Sequence, residues 1–194
     1  MSQFWDTFIS SAAGAFFGAL GAVVIAGLNS WWRRPALEIK FLGGEPFETD
    51  AITAGGEVCR FLHVQVRNAG RSTARACKVF VRKIELINQD GQRRRLNSEQ
   101  LIQTNWVPRE ANLLSIDIPS NLDFLADIVH DFVNNGQRIV QPIFQASFSM
   151  TNNLHTHIGT FILEVVVTSD NASTVLRLIK FRFNGRPLGL FAEM

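Results

Sequence analysis

Two hydrophobic periodicities divide the chain. Residues 7–32 are 26 consecutive positions without a charge, and within them residues 8–28 are dominated by Ala, Gly, Phe, Val, Leu and Ile with no polar face. After Pro35 the period becomes two. Leu37, Ile39 and Phe41 alternate with Glu38, Lys40 and Leu42 up to Gly43-Gly44. Leu62, Val64 and Val66 alternate with Phe61, His63, Gln65 and Arg67, and Cys77, Val79 and Val81 with Lys78, Phe80 and Arg82. An apolar run of about 20 residues is long enough to cross about 30 Å of hydrocarbon, whereas strict alternation marks half-buried strands.

Further strands are read at residues 113–118, 139–150, 159–168 and 173–183, and residues 122–133 read as strand or helix. Asp90-Gly91 is a hairpin turn returning through Arg93, Arg94 and Arg95, and Ser169-Asp170-Asn171-Ala172 is a second. Residues 43–57 and 97–112 read as the long loops. Eight or nine short strands in about 160 residues predict an antiparallel β-sandwich. The expected organisation is a transmembrane α-helix with interfacial flanks over residues 1–34 and the mainly β sandwich domain over residues 35–194.

The flanks give the expected span a direction. Trp5 precedes it, and Trp31 and Trp32 close it, at the level where amphipathic rings favour headgroups. Arg33 and Arg34 follow, then Pro35, which stops a helix. With only the terminal amine and Asp6 ahead of the span, the positive-inside rule predicts an external N-terminus and a cytoplasmic C-terminal domain at the inner (plasma) membrane. The lack of basic residues before the run argues against a cleaved signal peptide. Gly14, Gly18, Ala22 and Ala26 recur every four residues, a small-residue stripe of the kind that lets helices pack closely in lipid, and predict a homo-oligomer through the helix.

The segment Val64-Gln65-Val66-Arg67-Asn68-Ala69-Gly70, a short polar stretch, Ala74, and then Cys77-Lys78-Val79-Phe80-Val81 resembles the immunoglobulin-like modules of the CARDB type. The resemblance implies a sandwich in which Asn68 and Gly70 shape the turn between two core strands, and it implies no catalytic residue. Physically, Gly70 is free to take positive φ and Asn68 to bond its own backbone. In layout the chain is also similar to single-span bacterial membrane proteins, a likeness that carries no function.

Overall charge changes this picture little, but its distribution matters. The first 32 residues hold one charged side chain, Asp6, so the other 162 carry 19 basic and 16 acidic residues. A surplus of three is too small for a nucleic-acid binder, and no nucleic acid is expected. Fifteen of the 19 are Arg, the side chain suited to bidentate oxyanion contacts. Arg71 and Arg75 flank the Asn68 turn and Arg93, Arg94 and Arg95 follow the Asp90 turn, which makes these five the candidate anion- or partner-binding residues; ordinary loop charge is the alternative. Cys59 and Cys77 have opposite strand parity and read as unpaired thiols. His155 and His157 share one side of an extended chain, but no further ligands are near in sequence, so no metal and no cofactor is expected. Asp123, Asp127 and Asp131 recur every four residues and read as a solvated acidic face. No phosphate loop, nucleophile elbow or other catalytic motif is present, and no catalytic residue is assigned.

The leading expectation is therefore a non-enzymatic, membrane-anchored binding module whose partners are the lipid bilayer and an unidentified protein. Two alternatives stay open. One is a membrane effector whose sandwich senses an anionic ligand and whose striped helices perturb the membrane. The other is a small subunit of a larger membrane complex.

Overall fold

A computed structural model of the chain describes residues 2–52, 56, 58–96, 101–107, 113–134, 137–142, 158–185 and 190–193. The chain divides into two compact units, Met1–Arg34 and Pro35–Met194.

The first unit is helix α1, Ser2–Trp32. No proline interrupts it. The Arg33 N–H donates to Asn29 O at 3.1 Å, and Pro35, which disfavours helical backbone at Arg34, prevents continuation. Among the described residues, no helix is long and apolar enough to cross a membrane. This corrects the transmembrane helix read from the sequence, and with it the single-pass topology, the external N-terminus and the inner-membrane location.

The second unit is built from two antiparallel sheets. Strands β1 (Leu37–Lys40), β2 (Glu48–Ile52), β3 (Val58–Asn68), β8 (Asp123–Asn134) and β9 (Gln137–Pro142) form a five-stranded sheet. The other sheet has seven: β4 (Ala74–Ile87), β5 (Arg93–Arg95), β6 (Ile102–Gln103), β7 (Ile116–Ile118), β10 (Gly159–Thr168), β11 (Val175–Phe183) and β12 (Leu190–Glu193). The alternating residues read from the sequence supply the shared core: Leu62, Val64 and Val66 from β3, Cys77, Val79 and Val81 from β4, and Leu163, Val165 and Val167 from β10 are all fully buried. Phe161 and Phe181, cross-strand partners, stack with centroids 5.1 Å apart. Trp106 is buried and donates Nε1–H to Cys77 O at 3.2 Å. Arg177 ties the sheets at their margin by donating to Ile39 O at 2.5 Å.

Several expectations change in detail. The 122–133 segment is strand, because Phe124, Ala126 and Val129 register with Val66, Val64 and Leu62 on the core side. The two presumed loops contain β2 and β6, and β12 was unread. β2 is an outer strand with no buried side chain, and β6 has two residues, so neither shows an apolar alternation. Gly70 is not among the residues with positive φ, which include Ala76 at 49° and Asn121 at 62°. Asn68 is buried and saturated: Oδ1 accepts from Ala36 N (3.1 Å) and Gly70 N (3.0 Å), and Nδ2 donates to Ser72 O (2.7 Å) and Ile118 O (2.9 Å).

Three bulges interrupt the alternation. One lies between Ala74 and Cys77 on β4, with Ala76 in left-handed backbone. A second makes Arg82 the extra residue opposite Glu164 and Val165, and a third makes Ile128 the extra residue on β8.

Candidate functional site

Cross-strand register builds a cationic surface on the outer face of the seven-stranded sheet. One row reads Lys180, Ile162, Glu85, Arg95; the next reads Arg182, Thr160, Ile87, Arg93; a third reads Leu178, Glu164, Lys83. Lys78 lies opposite Thr168 farther along, and the bulge adds Arg82. Register also places Glu193 of β12 opposite Lys180, so among the described residues this face gathers seven cations and three acidic positions.

The two signs of charge are layered. Glu85 and Glu164 side chains are only 11% and 13% exposed, whereas Lys83, Arg82 and Arg93 are 35%, 50% and 55% exposed. Lys83 Nζ lies 2.8 Å from Glu85 Oε1, Arg93 Nε donates to Glu85 Oε2 at 2.9 Å, and Arg82 Nε pairs with Glu164. The hydrogen bond from Lys83, then that from Arg93, holds the Glu85 carboxyl below the usual glutamate range. An approaching group meets the cations first, already oriented by the carboxylates beneath them. Arg82, Lys83, Arg95 and Glu164 line a recess of about 370 Å³ on this face.

The five arginines singled out from the sequence separate. Arg93 and Arg95 belong to the cationic face. Arg94 registers with the core-facing Leu86 and points to the other side of the sheet margin, where it is exposed. Three consecutive arginines on a three-residue outermost strand also discourage strand-to-strand aggregation. Arg71 and Arg75 are exposed near the opposite end of β4. Ten residues separate Arg75 from Glu85, about 34 Å along an extended strand. The Arg75 backbone is fixed there: its N–H donates to Asn171 Oδ1 (2.8 Å) and its carbonyl accepts from Ser169 Oγ (2.8 Å). Lys83, Arg82 and Lys180 were missed, because only register and the bulge bring them beside Arg95.

A second polar cluster was also missed. On the outer face of the five-stranded sheet, Thr49 Oγ1 and His63 Nε2 share a 2.6 Å hydrogen bond. His63 Nδ1 lies 2.5 Å from Asp127 Oδ1, though off the line of a straight hydrogen bond. Hydroxyl, imidazole and carboxylate in this order are the connectivity of a hydrolase triad. Here, however, His63 and Asp127 are buried, and their own N–H groups are already bonded to Phe47 O (2.8 Å) and Asn105 O (3.0 Å), so neither can serve a developing oxyanion. The chain of contacts clamps β2, β3 and β8 together. The Ile128 bulge explains why the four-residue acidic recurrence fails as one face: Asp127 pairs with His63 outside, whereas Asp131 accepts from Arg60 N at 2.5 Å. Arg60 also binds Asp50 through Nε (2.7 Å) and Nη2 (3.2 Å), and lies over the Phe191 ring, 5.4 Å from its centroid.

The remaining sequence candidates assemble into no centre. Cys59 and Cys77 are buried and form no disulfide, and burial pushes the Cys77 thiol up. Among the described residues no group of three or more His, Cys, Asp or Glu could hold a metal ion; His155 and His157 lie outside them. Trp32, Arg33 and Arg34 are exposed, and the side chains of Trp5 and Trp31 lie outside the described ones. The anchoring role expected of these five rested on the span corrected above. In the stripe, a Cβ on Gly18 would meet nothing within 4 Å, Ala22 and Ala26 are exposed, and Gly14 falls outside the residues whose surroundings are described. No protein-family model matches the chain, and no curated protein does.

Proposed function

We propose that residues 35–194 form a non-catalytic binding module that takes an anionic partner on the outer face of its seven-stranded sheet. One observation carries the reading. Recessed Glu85 and Glu164 orient the outward Lys83, Arg93 and Arg82, so the positive charge is both presented and preorganised, which lowers the ordering cost of binding. The sandwich supplies a rigid platform, and the Thr49–His63–Asp127 chain serves its cohesion rather than a reaction. Neither cofactor nor metal enters this function.

Heparin chromatography of the full chain tests it, heparin serving as a generic polyanion. The Lys83→Glu/Arg93→Glu variant is expected to elute at markedly lower salt than wild type. Arg71→Glu/Arg75→Glu changes net charge equally on a different part of the sandwich and should shift elution much less. Equal shifts for the two pairs would overturn the assignment of binding to this face.

A further inference from the structure

We infer that β1 is a self-association edge, through which two copies of the chain pair antiparallel about a two-fold axis at Ile39. This stands apart from the cationic face, which belongs to the other sheet. Among the described residues β1 pairs with β3 alone, so its other side is open. Hydrogen bonds identify which backbone groups lie on that side. Ala36 O accepts from Ala69 N at 2.8 Å, and the backbone groups of successive strand residues point alternately to the two sides. Glu38 and Lys40 therefore direct their N–H and C=O groups at β3, whereas those of Leu37 and Ile39 face outward. Ile39 O, reached by Arg177 of β11 at 2.5 Å, is on that outward side. The seven-stranded sheet does not close over the edge: a recess of about 360 Å³ is lined by β1 and by Val175, Leu176 and Arg177.

Charge selects a second copy as the occupant and fixes its register. The outer-face residues of β1 are Glu38 and Lys40, opposite in sign and two positions apart. With Ile39 set against Ile39 of the second copy, each Glu38 lies opposite the other copy's Lys40. The two Ile39 residues then exchange both backbone hydrogen bonds. Opposite charges across strands attract and like charges repel, and registers centred on Glu38 or Lys40 would bring like charges face to face. Within the sheet Glu38 registers with Arg67, and Arg67 with Asp123, so the second copy's Lys40 extends a row that already alternates in sign. Lys40 registers with uncharged Gln65. Leu37 and Ile39, 7% and 4% exposed, stay in their own core, since this register keeps inward residues opposite inward residues. A carbonyl has two lone pairs, so Ile39 O serves both Arg177 and the second strand. The contact is isologous and closed, leaving no β1 edge for further strands. With so short a strand on each side it is a weak interface.

Sedimentation velocity of the full chain over a concentration series tests the inference, circular dichroism confirming that each variant is folded. Wild type should show a concentration-dependent dimer. Glu38→Lys and Lys40→Glu, each alone, set like charges opposite one another at two symmetric places and should weaken the dimer about tenfold. An equimolar mixture of the two variants restores both opposite-charge pairs and should associate within about threefold of wild type. A mixture no more associated than its components overturns the register. Self-association that ignores both substitutions, or none in wild type, overturns the β1 edge. A dimer gained only with Arg177→Ala also overturns it and makes Arg177 a guard against strand pairing.

Discussion

Asn68→Ala measures how much of the sandwich depends on one buried amide. The side chain occupies its full hydrogen-bonding capacity, two bonds accepted and two donated, and joins the β3 end to Ala36, Gly70, Ser72 and Ile118. Truncation leaves all four backbone partners behind. Ala36 N and Ser72 O sit in partly buried bonds, where water can replace the amide, so each loss costs about 0.5–1.5 kcal/mol. Gly70 N and Ile118 O are in buried bonds and carry the desolvation penalty of unsatisfied groups, about 1–3 kcal/mol each. The total is about 6 kcal/mol, a large share of a typical domain stability of about 5–15 kcal/mol, and corresponds to a Tm lower by about 12–24 °C in a chain of this size. Urea unfolding followed by tryptophan fluorescence, with unchanged m-value, gives the comparison directly. Asn68→Asp should do no better, since it keeps the acceptors but loses both donors and buries a charge. A cost below about 1 kcal/mol for Asn68→Ala would refute the reasoning and make Asn68 an ordinary surface-turn residue.

Glu85→Gln should cost up to about 1 kcal/mol at pH 7, the partners Lys83 and Arg93 being well exposed. Because pairing lowers the folded-state pKa of Glu85, the difference from wild type is present above the ordinary glutamate value of about 4.3 and disappears as pH falls below it; urea melts at pH 7 and pH 3 check the sign. His63→Ala should destabilise by about 3 kcal/mol by removing the imidazole beside buried Asp127 and leave any hydrolysis of p-nitrophenyl acetate at the wild-type level; hydrolysis by wild type that the variant loses would make the Thr49 cluster catalytic. Gly159→Ala should cost about 2 kcal/mol, read by thermal melting, because its Cβ would lie 2.5 Å from Ile87 O and 2.9 Å from Leu86 Cδ1, and Ile87 is backbone held in register with Thr160. With Cys59 and Cys77 buried, a thiol reagent should label the folded chain slowly and at two sites after denaturation.

The core was legible because burial on one face of a strand obliges apolar residues to alternate, as Leu62-Val64-Val66 and Cys77-Val79-Val81 do. The cationic face was half legible. Arg93 and Arg95 stand out as a run, but Lys83, Arg82 and Lys180 sit 10 to 87 positions from Arg93, and only pairing along β4, β10 and β11 brings them together. The apolar leader was legible as a helix, but among the described residues no helix is long and apolar enough to cross a membrane.

The deepest gap lies at the bulges. Alternation assigns faces by counting in twos, and one extra residue reverses the assignment of everything beyond it. At Ile128 the reversal separates Asp127, which faces His63, from Asp131, which reaches Arg60, so an acidic repeat becomes two unrelated structural contacts. At Arg82 it produces neighbouring cations on one face, a pairing that regular strand geometry forbids. Neither bulge is announced by a glycine or proline, because Arg82 lies between Val81 and Lys83, and Ile128 between Asp127 and Val129. The outer faces of these sheets, where the polar chemistry resides, therefore depend on irregularities set by the pairing of distant strands. The core strands tolerate those irregularities because the Val81–Val165 and Leu62–Val129 pairs beside them remain buried.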